Sequence, residues 1–316
     1  MKKILALALA FICIFSMACR KDDLAADGSP KTIYTYLVAG LDNAAYNTDV
    51  LFLLSYDLEE NKATVLQIPR DTYCRYKGTE GKINRIFPSL ISQGKNRKEA
   101  MSALNSYVEG AFGIDTDGYV CFDTDTFRKV VDLVGGIDIS LDKELVIYDE
   151  HGKECFVLDK GVTHMDGEMS EQFVRFRKGY ATGDLGRIDA QKLFIDAFIK
   201  SVKSNVGIDE AIRIAFTLAS ELVTDVGPYK ALDMLVKNRD KFDDTTFRYV
   251  TLPGEATIYN GKSFYVLNRK NTAEILSNTF GSKMISFDED RIFTSEGVSQ
   301  FDNIYHDENS GYKIYE

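Results

Sequence analysis

Two stretches near the start of the chain, Ile33 to Gly40 and Asp49 to Tyr56, are dense in β-branched, aromatic and aliphatic residues. A third, Lys62 to Ile68, alternates polar and apolar positions and stops at Pro69. These patterns predict strands of one sheet. From Lys98 to Phe112 the apolar residues recur at helical spacing, and Asn96 followed by Glu99 makes a capping box. Asp123 is placed to cap a second helix, Thr124 to Val134, which ends at Gly135-Gly136 before a strand from Ile137 to Leu141. Further helices are expected at Gly167 to Arg175, Leu185 to Lys203, Asp209 to Leu222, Lys230 to Asn238 and Thr272 to Phe280, with strands at Thr246 to Leu252 and Ser263 to Leu267. Strands and helices interleave without a long polar linker. The expected fold is therefore α/β, three layers deep, with a central mixed sheet flanked by helices.

The N-terminus has a different pattern. Lys2 and Lys3 precede an apolar run from Ile4 to Ala18, which ends at Cys19 and a charged stretch beginning Arg20-Lys21-Asp22-Asp23. The run is shorter than the roughly 18 to 20 apolar residues of a spanning helix, so it reads as an export signal. Ser16-Met17-Ala18-Cys19 resembles a lipoprotein processing site, with Ser16 where that pattern prefers an aliphatic residue. Residues 1–19 are thus expected to act as a lipoprotein signal, with Cys19 acylated, or as an uncleaved anchor. Residues 20–31 are expected to form a linker containing Gly28, Ser29 and Pro30, residues 32–281 the main folded domain, and residues 282–316 a polar C-terminal extension. The body of the protein is expected outside the cytoplasmic membrane, tethered to it.

Charge and residue usage narrow the chemistry. A net charge of -10 disfavours nucleic acid and anionic surfaces as general partners, so an anionic ligand needs a local cluster of Arg and Lys. Beyond the leader the cysteines are Cys74, Cys121 and Cys155, and the histidines are His151, His164 and His306. Neither set has metal-ligand spacing, and the cysteines read as small buried residues. Gly261-Lys262-Ser263 lacks the upstream glycine of a phosphate-binding loop and is read as a hairpin turn. No GxSxG elbow, HExxH or GxGxxG is present.

What remains is a set of acids and bases at the ends of predicted elements. Asp42 follows the first strand and Asp49 opens the second; two such carboxylates suit a hard divalent cation that also takes phosphate oxygens. Pro69 puts Arg70 and Asp71 at the end of the third strand, and Lys82 follows. Arg175 and Arg177 would point apart in a helix and share a face in extended chain, so the helix is expected to give way there. Arg187 and Gln191, after Asp184, share a helix face at i and i+4.

Taken in order, these segments resemble the LytR-CpsA-Psr family across roughly Thr32 to Phe280. The resemblance is carried by Gly40-Leu41-Asp42, Thr48-Asp49, Ile68-Pro69-Arg70-Asp71 and Lys82-Ile83-Asn84. It continues through Asp117-Gly118-Tyr119, Val134-Gly135-Gly136-Ile137, His164-Met165-Asp166-Gly167 and the run from Arg175 to Arg187. It implies an extracytoplasmic transferase that moves an anionic glycopolymer from a polyprenyl-pyrophosphate carrier to a peptidoglycan hydroxyl, with Mg²⁺. By the same resemblance, Asp42 and Asp49 hold the metal, and Arg70, Arg175, Arg177 and Arg187 clamp the pyrophosphate with help from Lys82 and Gln191. Asp71 or Asp42 takes the hydroxyl proton. The chain departs from the family's habit in carrying Asn43 and Asn47 where basic residues are frequent, so one phosphate contact is missing or comes from elsewhere. A hydrolase using water as acceptor would use the same clamp; a binding protein for polyprenyl lipid or wall polymer without turnover is the other alternative, and the full set of Arg70, Arg175, Arg177 and Arg187 argues against it.

Overall fold

An apolar run that does not alternate has to be buried on both faces, and a strand with that property must lie inside a sheet covered on both sides. The computed structural model describes residues 32–42, 46–142, 144–148, 154–175, 184–226, 244–280, 287–288, 290–295 and 314–315. In chain order, β1 (Ile33–Leu41), β2 (Thr48–Asp57) and β3 (Lys62–Gln67) are followed by a small hairpin, β4 (Tyr73–Tyr76) and β5 (Thr79–Lys82). A 3-10 turn over Ile83–Arg85 leads to α1 (Ile86–Ser92) and α2 (Arg97–Phe112). Next come β6 (Gly118–Phe122), α3 (Thr124–Leu133), β7 (Ile137–Leu141), β8 (Leu145–Tyr148), β9 (Glu154–Leu158), β10 (Gly161–Met165) and α4 (Gly167–Arg175). Then α5 (Asp184–Asn205), α6 (Ile208–Ala219), β11 (Val223–Thr224), β12 (Thr246–Thr251), β13 (Gly254–Tyr259), β14 (Lys262–Asn268), α7 (Arg269–Phe280), β15 (Thr294–Ser295) and β16 (Ile314–Tyr315) complete the described chain.

The main sheet has seven strands in the order β11-β6-β1-β2-β3-β12-β16. It is mixed: β1 runs parallel to β6 and β3 parallel to β12, while β1, β2 and β3 form an antiparallel meander. Side chains alternate between two cores. Tyr34, Tyr36 and Val38 of β1 join Phe52, Leu54 and Tyr56 of β2 in one, packed against Phe127, Phe173, Phe194 and Phe198 from α3, α4 and α5. Leu37, Ala39 and Leu41 join Leu51 and Leu53 in the other, packed against α1, α2 and α7 through Phe87, Leu104, Phe112 and Leu276. The expected three-layer α/β/α architecture with a mixed central sheet is what forms. Phe194 and Phe198 serve as core, with Phe194 stacked 5.9 Å from Phe127.

Local signals behave as the sequence requires. Asn96 and Glu99 make both halves of the capping box on α2, and Gly113 closes the helix at φ 65°. Asp123 accepts the Thr126 amide at 3.0 Å to begin α3. Asn260 and Gly261, both at positive φ, turn β13 into β14, so the Gly-Lys-Ser stretch is a hairpin turn, as read above. The helix expected over Lys230 to Asn238 lies outside the described residues. Past Phe280, the expected polar extension contributes to the body of the fold. Phe287 and Ile292 enter the α1/α2 core, β15 pairs with β14, and β16 pairs with β12. Among the described residues no helix is long and apolar enough to cross a membrane.

Asn96→Ala removes the cap of α2 and is expected to cost about 1 kcal/mol, read from the shift of a urea unfolding midpoint; an unchanged midpoint would mean the box contributes nothing. Burial pushes the Cys74 and Cys121 thiols up to about 12. In a protein with Cys13, Cys19 and Cys155 changed to Ser, both thiols should therefore stay unreactive at pH 8 until denaturant is added, and rapid labelling of the native state would contradict that burial.

Candidate active site at the ends of β1, β3 and β6

β1, β3 and β6 point the same way, so their C-terminal ends share one edge of the sheet, where the loops of an open α/β sheet form ligand sites. On that edge the β1–β2 register slips: Gly40 faces Val50 but Leu41 faces Thr48, leaving Asp49 as the extra residue of a bulge. The loop closes on a single oxygen. The backbone amides of Asp42 and Asp49 both donate to the carbonyl of Asn47, at 3.1 and 2.9 Å, which sets the two acids side by side. Asp42 Oδ2 accepts from Asn47 Nδ2 at 2.8 Å, and Asp49 Oδ1 accepts from Arg70 Nη1 at 3.2 Å.

Arg70 is aimed by a turn. Pro69 ends β3, and its carbonyl accepts both the amide and the hydroxyl of Thr72, at 3.0 and 2.6 Å. The turn is then fixed from neighbouring segments, with Asn84 N donating to Arg70 O, Ile83 N to Thr72 O and Tyr265 N to Asp71 O. Asp71 Oδ1 lies 3.1 Å from Lys82 Nζ and 3.9 Å from Arg70 Nε. Both are ion pairs, the second too long for a hydrogen bond. Asp49, Arg70, Asp71 and Lys82 thus form one alternating string of charge, reaching Asp42 through the shared loop.

Two cations that the sequence did not single out join this edge. Arg85, at the start of α1, donates from Nη1 to Asn47 Oδ1 at 2.8 Å. Arg97, the first residue of α2, lies 3.4 Å from Asp123 Oδ2, with its guanidinium 5.0 Å from the centre of the Tyr46 ring. Burial opposes ionisation of Asp123, but the Thr126 amide and hydroxyl and the Arg97 charge outweigh it and hold the carboxyl below its usual range. Both arginines sit at helix starts, where a lone basic residue carries no pattern that marks it as anything but a solvated surface charge.

Beside Asp123 a narrow cleft runs between the sheet edge, α3 and α4, lined by Leu41, Phe122, Thr124, Phe127, Glu171 and Val174. Its void of about 10 Å³ has room for roughly one water. Glu171, only 3% exposed, is neutralised there by Arg128 at 2.5 Å.

The rest of the expected clamp is not placed. Arg177 and Cys19 lie outside the described residues. Arg175 ends α4, and Arg187 and Gln191 lie on α5, but their side chains are outside the description as well. Among the described residues no group of three or more His, Cys, Asp or Glu is arranged for a metal ion. A smaller donor set suffices for Mg²⁺, which takes one or two carboxylates and completes its shell with water and phosphate oxygens. Asp42 and Asp49 fit that requirement, and the neighbouring Thr48 hydroxyl is buried with no hydrogen-bond partner among the described residues.

Comparison with known proteins gives the family. Residues 17–280 match the LytR_cpsA_psr family. A relative from Oceanobacillus iheyensis, named polyisoprenyl-teichoic acid–peptidoglycan teichoic acid transferase TagU, is 26% identical over 235 residues, covering 74% of this chain and 70% of its own. A TagU of Halalkalibacterium halodurans is 25% identical, with 81% of each chain covered. In fold, the chain resembles a Streptococcus agalactiae protein at TM-score 0.66 and 19% identity, covering 82% of this chain and 94% of that one. It also resembles Bacillus subtilis TagV at TM-score 0.61 and 21% identity, covering 79% and 96%. With residues 17–280 matched by one family model, the chain belongs to the LytR-CpsA-Psr family.

Proposed function

We propose that this protein moves an anionic glycopolymer from a polyprenyl-pyrophosphate carrier to a sugar hydroxyl of peptidoglycan, with Mg²⁺ held by Asp42 and Asp49. Transfer of a glycopolymer follows from the family and from the teichoic acid transferases it resembles. The finer assignment of donor, acceptor and metal rests chiefly on one observation, the alternation of Asp49, Arg70, Asp71 and Lys82 beside Asp42.

Phosphoryl transfer asks a protein for positioning and charge stabilisation more than for covalent chemistry. Bound Mg²⁺ would supply charge neutralisation at the phosphate oxygens. Arg70 and Lys82 carry the cationic charge for the pyrophosphate, and Asp49 and Asp71 hold them in place before substrate arrives. Arg175, Arg177, Arg187 and Gln191 complete the clamp in this proposal. Asp71 or Asp42 receives the proton of the attacking hydroxyl as polyprenyl phosphate leaves. The apolar walls of the cleft at Leu41, Phe122, Phe127 and Val174 offer the tail a path, which has to widen from its present room for about one water. A membrane tether at the N-terminus, through Cys19 or an uncleaved signal, keeps the enzyme at the bilayer where such a donor resides and raises its effective concentration.

Arg70→Ala should lower transfer from a lipid-linked donor to peptidoglycan fragments by about 10²-fold or more while leaving the far-UV circular dichroism unchanged. Full activity in that variant would sink the clamp assignment, and release of the polymer to water in the wild type would make the enzyme a hydrolase. Chelation of divalent cations should stop turnover and Mg²⁺ should restore it; Asp49→Ala should show no such recovery, and turnover indifferent to chelator would remove the metal from the proposal.

A further inference from the structure

The loop from Asp42 to Asp49 contains no basic residue, so positive charge beside Asp42 has to come from another part of the chain. Arg85 brings it. Asn47 bridges the two groups, its Nδ2 donating to Asp42 Oδ2 and its Oδ1 accepting from Arg85 Nη1, both at 2.8 Å. The amide has one sensible orientation here, because reversing it would face oxygen to carboxylate and NH₂ to guanidinium.

Arg85 differs from the other cations of this edge in what it is matched with. Arg70 contacts Asp49 and Asp71, Lys82 contacts Asp71, and Arg97 contacts Asp123. Among the described residues Arg85 has a neutral partner only, through one of the five N–H donors of its guanidinium, and its side chain is exposed. Its charge is therefore not cancelled among the described residues, and an exposed guanidinium in that state gains most from a phosphate, which accepts two parallel bonds.

We infer that Arg85 is a second phosphate contact, distinct from the Arg70–Lys82 pair and joined to it through Asn47 and Asp42, and that it makes the site prefer a diphosphate over a monophosphate. The inference rests on the proposed pyrophosphate donor. A lipid monophosphate fills the station at Arg70 and Lys82, whereas a diphosphate reaches Arg85 as well. The preference then has a use, since the donor carries two phosphates and the departing lipid carries one.

The test is binding of farnesyl pyrophosphate and farnesyl phosphate to the full chain in detergent with Mg²⁺. Wild type should bind the pyrophosphate more tightly. Arg85→Gln should lose about tenfold for the pyrophosphate and change little for the monophosphate. Arg85→Lys, which keeps the charge but not the two parallel bonds, should keep only part of the preference, and Arg75→Ala, a control at the Glu80-paired arginine of the β4–β5 hairpin, should leave both affinities unchanged. Arg85→Gln binding the pyrophosphate as well as wild type does, or weakening both lipids equally, would overturn the second contact. That result would leave the proposed function standing as long as Arg70→Ala still weakens both lipids. Wild type binding neither lipid would overturn the proposed function, and this inference with it.

Discussion

One carbonyl oxygen organises the functional edge of this protein. Asn47 O accepts the amides of Asp42 and Asp49 together, and so places two carboxylate-bearing residues next to each other at the end of the central sheet. Like charges so placed repel. Compensation is built in on both sides. Asp42 takes a hydrogen bond from the Asn47 amide, and Asp49 takes one from Arg70. What remains of the acidic pair suits a divalent cation, and the alternating string from Asp49 to Lys82 prepares positive charge for an anion bound to that cation.

Such an arrangement needs a frame that does not yield, and the sheet provides it. β1 and β2 are buried on both faces, so any slip in their pairing would drag apolar side chains out of two cores at once. The one permitted irregularity is the bulge at Asp49, where the site needs it. On the next strand, Pro69 ends pairing and a tight turn tied to Asn84, Ile83 and Tyr265 holds Arg70 and Asp71. The charges are therefore positioned by backbone hydrogen bonds of neighbouring segments more than by their attraction to one another. This is the favourable order for catalysis, because preorganised charge costs no rearrangement when substrate arrives.

The features readable from sequence are those whose cause is local. The two unalternating runs gave a sheet buried on both sides, Asn96 and Asp123 gave helix starts, and Asn260-Gly261 gave a turn. Asp42, Asp49, Arg70, Asp71 and Lys82 were legible because they stand at element ends beside residues that break structure. β6 was not anticipated: Gly118–Phe122 is five residues long, too short to show a period, and it is held by pairing with β1, where Gly118 lies opposite Tyr36, 82 residues earlier in the chain. The β4–β5 hairpin mixes charged and aromatic residues and owes its place to the Tyr73 stack on Phe293, 4.1 Å away and far along the chain. Arg85 and Arg97 escaped for the same reason, since their partners Asn47 and Asp123 are set by tertiary contact alone.

The central claim is that the acidic pair and the Arg70 string grip one ligand together, and diffraction from crystals grown with Mn²⁺ and farnesyl pyrophosphate tests it most directly. The account predicts an anomalous peak ligated by the carboxylates of Asp42 and Asp49, with the diphosphate bound to that ion and to Arg70 and Lys82. A manganese peak away from both carboxylates, or a diphosphate seated on another face of the protein, would contradict it.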